Sequence, residues 1–115
     1  MGKNTIVSEF SKIGIGTYVG SGSIINSEVN IGNYCIINTG SIIEHEVSIG
    51  DFSHVGPGSK VAGRVQIGSN VLIGIGVSIK NDVKIGNNVT IGAGSVVINN
   101  IENNSKVAGV PAKDI

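Results

Sequence analysis

The chain has 115 residues, of which 20 are Ile, 15 Val, 18 Gly and 13 Asn, against a single Leu and four Ala. That composition excludes a helical fold, because β-branched side chains lose rotamer freedom in a helix and pack well on a pleated strand. Eight basic and eight acidic residues cancel and only 3% of residues are aromatic, which excludes an electrostatic nucleic-acid or membrane surface and a base-stacking platform.

From Val7 onward the elements follow one rhythm. An aliphatic residue recurs every six positions: Val7, Ile13, Val19, Ile25, Ile31, Ile37, Ile43, Ile49, Val55, Val61, Ile67, Ile73, Ile79, Ile85, Ile91 and Val97. Ile and Val make up under a third of the chain, so an unbroken run of sixteen is not chance. Two residues earlier runs a column of small side chains, from Ser11 and Thr17 through Cys35 and Ser41 to Val89 and Ser95. The two columns share one face of a short strand, because side chains alternate along a strand. Gly follows the aliphatic position in nine cases, among them Gly50, Gly56 and Gly74. It is read as a bend residue, chosen for its unusual dihedrals. Each hexapeptide is thus a short strand plus a corner.

Cys35 is the only cysteine, so no intrachain disulfide forms. It falls in the inward small column and is read as a buried small hydrophobe rather than a nucleophile. Met1–Phe10 lacks the apolar stretch of a signal peptide, and no apolar run reaches the ~20 residues of a membrane span. A soluble cytoplasmic protein is expected, with no nucleic-acid or membrane partner.

An aliphatic residue, often Gly next, then a small residue four positions on resembles the hexapeptide-repeat family. The resemblance implies an all-β left-handed parallel β-helix with three hexapeptides per coil, a departure from the usual right-handed crossover. About five coils are expected, with the β-helix over residues 1–106 and a tail over 107–115. Residues 18 apart then stack, with successive strands about 4.8 Å apart.

Sorting the outward residues by 18 yields three faces. The first carries Lys12, Asn30, Ser48, Gln66 and Lys84. The second carries Tyr18, Ile36, His54, Leu72 and Thr90, and the third Ile24, Ile42, Lys60, Ser78 and Val96. Two of the three faces expose apolar side chains, which suits heterologous contacts in a cyclic oligomer. The family resemblance implies a homotrimer.

The two histidines both point away from the core. His45 lies on a corner within Glu44-His45-Glu46, and His54 lies on the second face. A carboxylate bonded to one imidazole nitrogen fixes the tautomer and raises the basicity of the other. Gly63 stacks one coil beyond His45, where its backbone N–H can serve a developing oxyanion.

The run Asn38-Thr39-Gly40-Ser41-Ile42-Ile43-Glu44-His45-Glu46, then Phe52-Ser53-His54-Val55, resembles the sugar acetyltransferases of the sialic-acid and bacillosamine pathways. The ending Val107-Ala108-Gly109-Val110-Pro111-Ala112-Lys113 resembles theirs too. The resemblance implies acetyl-CoA as acyl donor, bound between subunits, and a sugar or nucleotide-sugar amine or hydroxyl as acceptor. It implies His45 as general base, Glu46 as the group that tunes it, and Gly63 as oxyanion donor. By the same match His54, Ile75, Ala93 and Lys113 line the acetyl-CoA path, and Asn38 lies near the catalytic histidine. No metal is expected, because the zinc sites of hexapeptide-type carbonic anhydrases resemble three shared histidines and only two exist here.

Those transferases also carry an amino-terminal Rossmann-like domain that grips the acceptor, and this chain begins its repeat by Val7. Two other readings therefore stay open: a non-catalytic trimeric module, or a catalytic half served by a separate acceptor-binding chain.

Overall fold

A computed structural model describes residues 1–115. Every hexapeptide contributes a two-residue strand that ends on the aliphatic position, from Ile6–Val7 to Val96–Val97. None of these sixteen strands pairs with its neighbour in sequence; each pairs in parallel with the strand 18 residues away, as Ile42 does with Ile24 and Lys60. Three parallel sheets result, one per face, and the chain is a solenoid of triangular section measuring 36 × 21 × 20 Å.

The register changes once, beyond the unbroken run. Ile85 bridges Ile101 and Ile91 pairs with Val107, a spacing of 16 rather than 18. The third face ends at Val96–Val97, whereas the second continues through Lys106–Ala108. That strand adds a further turn, so the solenoid has about six coils where about five were expected. Val107 belongs to the core, and Lys113–Asp114 folds back antiparallel on Val107–Ala108.

The core is the stack of aliphatic and small columns, with 23 buried hydrophobic residues. Each buried Ile or Val contributes about 1.5–3 kcal/mol. Five serines of the small column are also buried. Their position answers a backbone need: Ser41 Oγ donates to Gly56 O (3.0 Å) and Ser59 Oγ to Gly74 O (2.9 Å). Cys35 Sγ does the same toward Gly50 O, at 3.1 Å, in the inward position expected of it. No buried side-chain polar atom lacks a partner, which a buried polar column requires.

The corners correct one expectation. The glycines that follow the aliphatic residue do not have positive φ. They are glycine because coils approach too closely for a side chain: a β-carbon at Gly56 would lie 2.4 Å from Gly74 O. The left-handed conformation falls two residues later, at Gly76 and Gly94 but also at Tyr34, Glu46, Phe52, Arg64 and Asp82. Non-glycine residues seldom adopt it. Here the 18-residue stacking holds it: the Glu46 N–H donates to Ser27 O, and the Arg64 N–H to His45 O.

Candidate active site

The corner between the third and first faces carries Glu44-His45-Glu46 on one coil and Ala62-Gly63-Arg64 on the next. Ile42–Ile43 leads into the first and Lys60–Val61 into the second, and the two strands pair in register. His45 Nδ1 lies 3.1 Å from Glu46 Oε1, with both side chains about half exposed (46% and 50%). An ionised carboxylate only accepts, so Nδ1 carries the proton, and in the neutral ring the lone pair is on Nε2. That is the state a general base needs.

Nε2 lies over Gly63, which is buried. A β-carbon on residue 63 would stand 2.6 Å from Nε2 and 2.7 Å from Cε1. On either side of it the Ala62 and Arg64 N–H groups donate to Ile79 O and His45 O. The Gly63 N–H donates to no acceptor within the chain. The corner thus joins a carboxylate-backed imidazole to an uncommitted backbone donor, one coil apart.

Asn38 and His54 form a second cluster, at the corner between the second and third faces. Asn38 Oδ1 accepts from the Thr39 N–H at 2.8 Å, and Nδ2 faces His54 Nε2 at 3.2 Å. In that pairing Nε2 accepts, which leaves the His54 ring proton on Nδ1. Asn38 therefore pairs with His54 and not with His45. Ile75 (59% exposed) and Ala93 stack farther along the same corner, where the Gly94 N–H donates to Ile75 O. Gly76 beside them has φ of 65° and open space around its α-carbon, so it is the backbone turn, and no neighbouring atom, that favours glycine there. Lys113 is exposed and pairs with Ala108 at the end of the second face.

One chain therefore brings together His45, Glu46 and Gly63 at one corner. It gathers Asn38, His54, Ile75 and Ala93 at another, with Lys113 beyond them. The third face lies between the two clusters.

Two residues at the first corner escaped the sequence reading. Arg64 Nε donates to Asp82 Oδ1 at 2.7 Å and Nη2 to Asp82 Oδ2 at 3.2 Å. The hydrogen bond to Asp82 holds the guanidinium above its ordinary pKa, with further support from the Asp82 and Glu46 charges. Hydrogen bonds from Arg64, then Asn81, hold the Asp82 carboxyl below its ordinary value. The 18-residue stacking of 46, 64 and 82 was the signal available for them.

The repeat is what other proteins share. The bacterial transferase hexapeptide model (six repeats) matches residues 28–63 and 64–99. The chain belongs to that family.

Among solved structures, a perosamine N-acetyltransferase from Caulobacter crescentus is 35% identical over 97% of this chain, with a TM-score of 0.96. It was solved as a histidine-to-asparagine variant with CoA and GDP-perosamine. The acetyltransferase domain of PglB from Neisseria gonorrhoeae, solved with acetyl coenzyme A, is 30% identical over 97% of this chain, with a TM-score of 0.96. The matches cover 53% and 55% of those two chains, so this chain spans about half of their length. LpxA from Acinetobacter baumannii shares the fold at 18% identity, with a TM-score of 0.75 over 99% of this chain and 66% of that one. The solenoid is a left-handed β-helix. A search of curated protein sequences finds no match. No helix is long and apolar enough to cross a membrane, and no three His, Cys, Asp or Glu gather as a metal site.

Proposed function

We propose that the chain transfers an acetyl group from acetyl-CoA to the amine of a sugar or nucleotide-sugar. The observation that carries this reading is the corner in which Glu46 holds His45 Nδ1 while Nε2 lies over Gly63. The two N-acetyltransferase structures, one with CoA and a nucleotide-sugar and one with acetyl coenzyme A, support the donor and the acceptor class.

In this reading His45 Nε2 takes the proton that the amine loses as its nitrogen bonds to the acyl carbon. The Gly63 N–H donates to the acyl oxygen as that oxygen gains negative charge. His45 then gives the proton to the departing CoA sulfur, leaving the N-acetylated sugar, CoA and a neutral imidazole. Glu46 keeps Nδ1 protonated throughout and favours the transient imidazolium. His54 Nδ1–H faces the donor's acyl end, Ile75 and Ala93 pack along its pantetheine arm, and Lys113 meets its phosphates.

Because one chain separates the two clusters by its third face, a homotrimer is part of the proposal. Tyr18, Ile36 and Leu72 on the second face are 40–48% exposed, and they offer an apolar surface to a neighbour's third face. Cys35 as the single, buried thiol supports a cytoplasmic setting.

The test is steady-state acetyl transfer with His45→Ala, using a nucleotide-linked amino sugar as acceptor. Loss of a general base costs about 10²–10⁴-fold in kcat. Full activity in that variant would remove His45 from the mechanism.

A further inference from the structure

Four residues of the catalytic corner occupy one register position on successive coils: Glu28, Glu46, Arg64 and Asp82. All four are left-handed, with φ of 61°, 61°, 62° and 66°. Equal backbone geometry sends their side chains out at the same point, each about 4.8 Å from the next. Arg64 thus stands between two carboxylates, Glu46 one coil back and Asp82 one coil on.

The guanidinium is committed to Asp82 through both of that residue's oxygens, at 2.7 and 3.2 Å. Asp82 is itself held, since Asn81 Nδ2 donates to Oδ2 at 2.7 Å. Glu46 is left to His45, at 3.1 Å. The remaining charges around the dyad are Glu28 one coil back, Glu44 on the same coil and Lys80 two coils on. Glu44 is occupied by Asn26 Nδ2 at 2.9 Å. The Arg64–Asp82 pair is exposed, and such pairs add little to fold stability. Its consequence lies in where it leaves the Arg64 charge.

We propose that Asp82 is a positioning residue for the proposed base: it holds the Arg64 guanidinium off Glu46, so that the Glu46 carboxylate stays on His45. Without the Asp82 charge, Arg64 turns one coil back and competes for Glu46. A guanidinium on that carboxylate cancels the charge that favours the imidazolium, so His45 loses basicity. The inference rests on the reading of His45 as base, yet its first readout is independent of turnover.

The test is an NMR pH titration of the His45 ring in the full chain, with no ligand, in three proteins: wild type, Asp82→Asn, and Asp82→Asn with Arg64→Asn. Asn suits the left-handed backbone, and Asn70 and Asn88 already occupy such positions. The expected result is a fall of about half a pH unit or more in the His45 midpoint for Asp82→Asn. The double variant, which has no guanidinium to redirect, should regain the wild-type midpoint or exceed it. An unchanged midpoint in Asp82→Asn overturns the inference. So does a shift that Arg64→Asn does not reverse, because the cause is then not the guanidinium. The acid limb of the kcat profile should follow the same order. If the titration behaves as expected while His45→Ala keeps full activity, the charge arrangement stands and the reading of His45 as base fails.

Discussion

The Nε2 atom of His45 occupies the space that a side chain on residue 63 would need: a β-carbon there would lie 2.6 Å away. The glycine is thus defined by the histidine above it, and not by backbone conformation. Both are set by the coil spacing, since the two residues are 18 apart.

Gly63→Ala should therefore damage activity more than stability. The clash is with the end of a mobile ring, which moves at little cost to the fold. A base displaced by about 1 Å loses on the order of 10²-fold in rate. Acetyl-transfer kinetics should show that loss, with a thermal midpoint within a few degrees of wild type. Combining it with His45→Ala should add almost nothing, because the two act as a unit.

Glu46→Gln removes the charge that Nδ1 faces at 3.1 Å while keeping an oxygen to accept from it. A neutral partner favours the imidazolium less, so the His45 midpoint falls. The acid limb of the kcat profile should move to lower pH, and the plateau rate should drop. A profile that stays in place would separate Glu46 from the base.

The two kinds of corner glycine should respond in opposite proportion to their backbone angles. Gly76→Ala meets open space and only the strain of φ at 65°, so about 1 kcal/mol is lost. Gly56→Ala has no such φ, yet its β-carbon would meet Gly74 O at 2.4 Å. Backbone cannot swing aside as a ring can, and a loss of about 3 kcal/mol is expected. Urea unfolding of the two variants measures the difference directly.

Ser53 tests the buried hydroxyl column. Its Oγ donates to Gly68 O at 2.8 Å and accepts from the Val71 N–H at 3.1 Å. Ser53→Ala leaves both backbone groups unpaired inside the solenoid. A loss of about 2 kcal/mol is expected from chemical denaturation. A neutral result would show that the coil can close without its serines.

Much of the fold was legible because a solenoid reuses one local rule. The six-residue period marked sixteen inward Ile and Val positions from Val7 to Val97, and the fourteen from Val19 onward are buried in the core while Val7 and Ile13 pack against its end. The 18-residue stacking also placed Gly63 beside His45. What periodicity could not show was where it ended. The shift to a spacing of 16 beyond Ile85 lets Ile101 and Val107 enter the last turn, and no repeat position marks it. The reason for the corner glycines was also hidden, since a sequence shows which residue lacks a side chain but not what would collide with it.

Beyond the three hexapeptides per coil that the family resemblance implied, the sequence by itself determined the inward columns and the corner on which Glu46 flanks His45. Those follow from neighbours along the chain and from a constant repeat. Tertiary structure alone decided which side chains satisfy one another across coils: Asn38 with His54, Arg64 with Asp82 rather than Glu46. The physical reason is that stacking offers each outward side chain a partner on the coil before and on the coil after. The choice between them depends on side-chain length, hydrogen-bond direction and charge in three dimensions.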